Sequence, residues 1–263
     1  MILLAGIYYP EGYIMILSVH QPQYIPWLGY FDKIDKSDCF VFLDQVQYKP
    51  REYQNRNRIR TKNGWLWLTV PVKSKGLGRQ KICDVRVNND TNWQKKHWES
   101  LKSCYNKAPF FKEYYRFFEA VYSAKWEQLI ELNIHIIKYL LKELNIEIPL
   151  YYESEIGTCS RATDRIIEIC RKVKADTYLS GTGGKSYLEE AKFAQAGITL
   201  NYQDFHHLPY HQLYTHRVSP FLPNMSAIDL LFNEGRRSMN ILRGECGCSR
   251  KTFAGTYSSL IRT

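Results

Sequence analysis

The most chemically loaded stretch of the chain is residues 16–34, ILSVHQPQYIPWLGYFDKI. It begins with a strand pattern and ends with a helix pattern. His20, Gln21 and Gln23 sit at the join, and each offers hydrogen-bonding groups to a phosphate or carboxylate oxygen. Tyr24 follows them. Pro22 and Pro26 remove backbone donors and stiffen the turn. Gly29 lets a helix start come close to a sheet or a ligand. A second stretch, FLDQVQYKPREYQNRNRIR at 42–60, runs from an apolar segment into Asp44. A carboxylate there could hold Mg2+, orient an amine or act as a base. Gln47 follows, and Arg51, Asn55, Arg56 and Arg58 form a cluster suited to bidentate phosphate contacts. A third, YLSGTGGKSYLEE at 178–190, places Ser180, Gly181, Thr182, Gly183 and Gly184 where a nest of backbone donors could cradle an anion. Lys185 adds a point charge and Tyr187 a ring. The spacing is not that of a Walker A loop. His206, His207 and His211 form a fourth group, in FHHLPYHQLY, without the ordered spacing of a zinc site. It reads as a polar loop covering a site.

His20, Asp44 and Lys185 are therefore the catalytic candidates. Gln21, Gln23, Tyr24, Gln47, Arg51, Asn55, Arg56, Arg58 and Tyr187 are the substrate-binding candidates. Gly29, Ser180, Gly181, Thr182, Gly183 and Gly184 are the phosphate-binding candidates. No metal site of the protein's own is assigned.

The pattern around these residues predicts elements that would bring them together. Residues 16–20 read as a strand and 28–35 as a helix. Residues 39–44, CFVFLD, form a continuous apolar run, the mark of a strand buried on both faces. Residues 65–72 alternate after a Lys-Asn-Gly turn, which suggests a hairpin or a sheet edge. Residues 83–88 are expected to form a strand, and the arginine cluster before the hairpin a loop. The middle of the chain, from Trp93 to Leu144, is helical, with Asn92 or Thr91 as a cap. Then come a strand at 150–156, a helix capped by Thr163 or Asp164, and a strand at 176–181. A helix at 185–197 and a strand at 198–205 complete the series. Strand and helix alternating in this order imply parallel pairing. The fold class is α/β: a mostly parallel, Rossmann-like sheet flanked by helices, with a helical middle segment and a β-hairpin. In such sheets ligands sit at the carboxyl ends of strands, where His20, Asp44 and Ser180 fall.

The chain has 263 residues and a formal net charge of +10, which favours anionic partners. Its lysines are scattered, and no nucleic-acid-binding motif accompanies them. The seven cysteines are odd in number and dispersed, which argues for free thiols in a reducing compartment. A metal site at Cys246 and Cys248 lacks a second pair of ligands. No apolar run is long enough to span a membrane. Residues 1–14 lack the basic start and cleavage site of a signal peptide and read as a leader extension, with Met15 as the natural start. Residues 15–235 are expected to form one α/β domain, and 236–263 a peripheral tail. The expected location is the cytoplasm.

Six motifs in order give the chain a resemblance to a known family. They are HQPQYIPWLGYF at 20–31, DQVQY at 44–48, NRI at 57–59 with LTVPV at 68–72, YLSG at 178–181, YL at 187–188, and SAIDLLFNEG at 226–235. Together they resemble the WbqC-like family over about residues 16–235. The resemblance implies a role in bacterial O-antigen and other surface-polysaccharide synthesis. For that family a glycine transferase that glycylates an amino sugar has been suggested. The layout of the first turn, of VFLDQVQY and of SGTGGKSYL is also similar to the nucleotidylyltransferase superfamily, pantothenate synthetase above all. Where that family has the second histidine of its HxGH element, this chain has Tyr30.

Making an amide requires an activated carboxyl group. The two resemblances together imply group transfer, glycyl or another aminoacyl, to an amino sugar, with the carboxylate activated by ATP and Mg2+. The partners would be small molecules: glycine and an amino sugar or nucleotide sugar. Two other readings fit the same residues. One is an acyl- or aminoacyl-transferase drawing on CoA or tRNA. The other is a non-catalytic protein that binds nucleotide sugars or serves as a scaffold.

Overall fold

A computed structural model describes residues 12–215 and 220–245. In chain order the elements are β1 (Ile16–His20), α1 (Leu28–Asp35), β2 (Cys39–Phe42), β3 (Arg56–Thr61) and β4 (Gly64–Thr69). The helical middle follows as α2 (Trp93–Tyr105), α3 (Phe111–Ser123) and α4 (Leu129–Glu143). Then come β5 (Leu150–Tyr152), α5 (Glu153–Ile156), α6 (Ala162–Val173), β6 (Thr177–Ser180), α7 (Glu190–Gln195) and β7 (Thr199–Tyr202). The last described elements are α8 (Ala227–Glu234) and α9 (Ser238–Arg243).

Five strands form one parallel sheet in the order β5-β2-β1-β6-β7. From β1 the chain first builds outward through β2 to β5. It then crosses back to β6 on the other side of β1 and continues to β7. The strand order therefore reverses between β1 and β6, and a reversal of this kind leaves a crevice at the carboxyl ends of the two strands. The architecture is the α/β Rossmann-like one expected from the sequence.

Side chains alternate across each strand, and the alternation sorts them into two cores. Phe40 and Phe42 face a core shared with α1, the helical middle and α8. Leu17, Val19, Cys39, Val41 and Tyr178 face the other, built with α6 and α7. The first core is strongly aromatic: Phe232 of α8 lies edge-on to Tyr105, Phe111 and Phe118. Helix α1 is buried nearly all round, because the sheet lies on one side of it and α9 packs on another.

Five expectations are corrected, the first being the strand at 150–156, which ends at Tyr152 where α5 begins. The arginine cluster is only half a loop: Arg51 and Asn55 lie in the turn before β3, while Arg56 and Arg58 lie in β3, which pairs with β4 in an antiparallel hairpin. Asn57 and Ile59 point inward and are fully buried, while Arg56 and Arg58 alternate with them. Polar side chains hid the period of two. Asn57 replaces an apolar residue because its amide donates to the carbonyl of Ile25 at 2.9 Å. Residues 83–88 form no strand. A short 3-10 turn (Ile82–Asp84) leads into a segment that makes only isolated bridges, Val72 to Val87 and Arg86 to Gln128. The helix expected from Lys185 starts only at Glu190, after a separate 3-10 turn (Thr182–Ser186). Finally, part of the expected tail is core. Met239, Ile241 and Leu242 of α9 are buried, and Arg243 pairs with Asp35 of α1 at 2.7 Å. Six residues are too few for helical periodicity to show in the sequence. Residues 1–11 of the expected leader, and Cys246 and Cys248, lie outside the described residues.

Candidate functional site

A cleft of about 450 Å³ opens at the crevice between β1 and β6. Val19, His20 and Gln21 at the end of β1 line one wall, and Tyr178, Ser180, Gly181, Gly183, Gly184 and Tyr187 the other. Lys33 of α1 lies at its base. Leu43, Val46 and Lys49 come from the segment after β2, and Ala162, Arg165 and Ile166 from α6. Of the sequence candidates, His20, Gln21, Ser180, Gly181, Gly183, Gly184 and Tyr187 are thus brought together.

His20 is held by its neighbours. Its Nδ1 is 3.1 Å from the Gln21 carbonyl, which can only accept, so Nδ1 carries the proton. Tyr30 stands edge-on to the imidazole at 5.1 Å and donates to the same carbonyl. Burial, with the charge of Lys33 behind it, lowers the His20 pKa to about 3. The ring is neutral at pH 7 and Nε2 keeps a lone pair. Gln21 is steadied by Gln54, whose amide donates to its Oε1 at 2.7 Å.

The glycine-rich turn works by space rather than by left-handed backbone. None of Gly181, Gly183 and Gly184 has positive φ, and the segment folds as a 3-10 turn. Gly184 is needed for close approach: a Cβ there would lie 2.1 Å from Ser180 Oγ. Ser180 Oγ turns back to donate to the Gly181 carbonyl at 3.0 Å. Ala162, at the start of α6, has φ of +50°, a conformation that costs energy for a residue with a side chain.

Three residues that sequence reasoning missed carry the electrostatics. Lys33 is 3% exposed and donates from Nζ to the Val19 carbonyl at 3.0 Å. Burial alone lowers its pKa to about 7. Arg165 sits one turn into α6, and Lys49 is exposed at the rim. Among the described residues no Asp or Glu lines the cleft. Glu153 stands behind Arg165, with Oε1 3.3 Å from the guanidinium Nε. The signal for Lys33 lay in its surroundings: a lysine four residues after Gly29, on a helix whose apolar residues cover most of its circumference.

The remaining candidates lie elsewhere. Asp44 does not line the cleft. It is buried, and its carboxylate accepts from the backbone N–H of Ser154 at 2.9 Å and from the Ser154 hydroxyl, which ties β2 to α5. Lys185 is exposed, with its ammonium 5.2 Å from the Tyr202 ring, and Thr182 is exposed beside it. The Gly29 face is covered by the Trp27 indole, whose atoms would lie 2.2 Å from a Cβ, and Gly29 does not line the cleft. Tyr24 is core, bonded to Tyr122 and His97 at 2.6 and 2.9 Å. Gln23 is buried. Asn55 donates to the Val70 carbonyl at 2.9 Å. Gln47 bridges to Lys81, and Arg51 is exposed with φ of +66°. Arg56 and Arg58 lie over Trp67 and Trp65 on the hairpin, at 4.3 and 5.4 Å.

The histidine loop does not cover the cleft. His207 packs on Trp27 and pairs with Asn224 at 3.0 Å, and His206 is exposed beside Asp204. Among the described residues no three His, Cys, Asp or Glu side chains converge as a metal site would require. No described helix is long and apolar enough to cross a membrane.

The comparisons with known proteins agree with the motif pattern. The model of the WbqC-like protein family matches residues 21–241. An uncharacterized protein of Mycobacterium tuberculosis, Rv1507c, is 34% identical over 229 residues, covering 86% of this chain and 97% of that protein. No solved structure matches. The matched span runs from Gln21 at the end of the β1 wall through the β6 wall and the α8 segment, and the chain belongs to the WbqC-like protein family.

Proposed function

We propose that the protein is a group-transfer enzyme whose cleft takes an anionic, activated donor. It passes a glycyl or other aminoacyl group to an amino sugar in surface-polysaccharide synthesis. The observation that carries this reading is the charge of the cleft. Lys33, Lys49 and Arg165 line it, no carboxylate among the described residues does, and a neutral histidine stands among them.

In the ATP-dependent form of the reaction, a carboxylate oxygen of the amino acid attacks the α-phosphorus of ATP and pyrophosphate leaves. The sugar amine then attacks the acyl carbon, AMP leaves, and the amine proton passes to a base. Arg165 and Lys33 would offset charge that grows on the phosphoryl oxygens. His20 Nε2 is an acceptor for an amine hydrogen bond. ATP would bring Mg2+ on its own phosphates, since no carboxylate among the described residues lines the cleft to hold the ion. Asp44 and Lys185 have no direct part in this scheme.

Thermal shift is the first test, with ATP, CoA, nucleotide sugars and glycine, each with and without Mg2+. A ligand at a hundred times its Kd stabilises the fold by about 2.7 kcal/mol, which is readily measured. The expected result is a shift with ATP, lost in Arg165→Ala, and AMP release that requires both an amino acid and an amino sugar. A shift with CoA alone would move the donor to an acyl thioester. Absence of any shift and of any AMP or ADP would refute the enzymatic reading.

A further inference from the structure

Lys33 is an unusual lysine. Its side chain is buried at the base of the cleft, and it makes one hydrogen bond, to the Val19 carbonyl. It forms no ion pair with a carboxylate among the described residues. The acid beside it in sequence, Asp32, is turned away and engaged by Lys36 at 2.8 Å and by Gln203 at 2.6 Å. An ammonium has three N–H donors, and only one is used here. A buried charge without a partner is costly, and proteins keep one where something completes it. The space above Nζ is open. Gly181 faces it: a methyl group built there would lie 3.9 Å from Nζ, in ordinary contact, and both residues line the cleft.

We propose that the base of the cleft is a phosphoryl seat in which Lys33 is the counter-ion. The oxyanion lies between Val19 and Gly181, pairs with Lys33 Nζ, and is bound together with a proton. The inference rests on the reading of the cleft as an anion site and deepens it. Lys49 is exposed at the rim and Arg165 is partly buried beside Glu153, and both stand where they can attract the ligand. Lys33 is the group whose charge depends on the ligand being present.

The groups facing Lys33 support this division. From β1 comes His20, neutral at pH 7. From β6 comes Tyr178, whose hydroxyl is held protonated by burial. From α6 comes Arg165, and from α1 itself Tyr30, also held protonated. His20, Tyr178 and Tyr30 do not change charge between pH 6 and 9. Burial places the Lys33 ammonium at about 7, so above that pH an arriving anion must bring a proton with it.

Inorganic sulfate is the probe, because it carries no titratable proton in this range. Its Kd for the intact protein is measured by calorimetry from pH 6 to 9. The expected affinity is nearly constant below pH 7 and falls about tenfold per pH unit well above it. Arg165→Ala should weaken binding and keep that slope. Lys33→Met should weaken binding at least tenfold at pH 6.5 and abolish the slope. Should Lys33→Met fail to fold, the wild-type profile decides by itself. A flat wild-type profile, or a slope that survives in Lys33→Met, would overturn the role of Lys33 while leaving the anion site standing. No sulfate binding at any pH would overturn both. Displacement of sulfate by AMP supports a nucleotide as the source of the phosphate, and by glucosamine 1-phosphate a sugar phosphate. Displacement by neither would overturn the phosphoryl assignment.

Discussion

Two buried polar centres of this protein make a useful contrast. Asp229 of α8 is fully buried, and every hydrogen bond its carboxylate needs is supplied. Tyr105, Tyr210 and Gln212 donate to it at 2.7, 2.6 and 2.7 Å. The Tyr105 hydroxyl in turn accepts from the backbone of Arg60 at 2.9 Å. These bonds tie α2, the hairpin and the 210–215 segment to α8. Lys33 is as deeply buried, yet it has one bond and no counter-charge, and it faces a cleft. Both centres cost desolvation energy. The first recovers it within the fold. The second leaves the recovery to a ligand. A saturated polar centre is architecture, and an unsaturated one beside a cavity is a site.

The contrast predicts stability changes of opposite sign. Asp229→Ala leaves two tyrosines and a glutamine without their acceptor. It should destabilise the protein by roughly 3–5 kcal/mol in urea unfolding, with little change in intrinsic anion affinity while the fold persists. Lys33→Met removes an unpaired buried charge of the same depth. It should leave the unliganded protein as stable as before, or more stable by about 1–4 kcal/mol, while anion binding is lost. A destabilised Lys33→Met would mean that Lys33 is architecture too.

The pH dependence of stability sharpens the same point. In the unfolded chain the lysine titrates near 10.5, and in the fold near 7. Between these values the unfolded state binds more protons than the folded one. Stability should therefore rise as pH goes from about 7 toward 10.5, by a few kcal/mol from this group. Unfolding of Lys33→Met at the same pH values should lack that contribution.

Smaller effects mark the edges of the site. Gly184→Ala should cost about 1–3 kcal/mol, since its methyl group meets the Ser180 hydroxyl, and Ser180→Gly should recover part of the loss in the double variant. Arg56→Ala removes a stacked guanidinium from Trp67 on the half-exposed hairpin. It should cost only about 0.5–1 kcal/mol and leave sulfate affinity unchanged. A tenfold loss of affinity in Arg56→Ala would move the anion site to the hairpin.

Much of the sheet is legible in the sequence, and the reasons are local. Residues 39–42 show it best: four apolar residues in a row cannot sit on a half-exposed strand, and β2 is buried on both faces. The βα order around 177–202 likewise required parallel pairing. The hairpin is half legible. The alternation of β4 is visible, but β3 is written in Arg and Asn, and its inward asparagine works only because the Ile25 carbonyl stands opposite. For the site, His20 and the 180–184 turn are found by their position at strand ends. Asp44 fits the same rule and is nonetheless structural, because the start of α5 arrives to satisfy it. Lys33 and Arg165 were not found: the mostly apolar circumference of α1 marks Lys33 as covered, but nothing local tells that it is covered at the edge of a cleft, and nothing local marks Arg165 at all.

The most direct test of the account is a map of where an oxyanion binds. Backbone amide chemical shifts of the full-length protein would be followed during titration with sulfate and with ATP. The account predicts the largest changes at Val19, Lys33, Gly181, Gly183 and Gly184, on both sides of the β1–β6 crevice. Changes centred on Arg56, Arg58 and Trp65 of the hairpin, with the crevice silent, would contradict it.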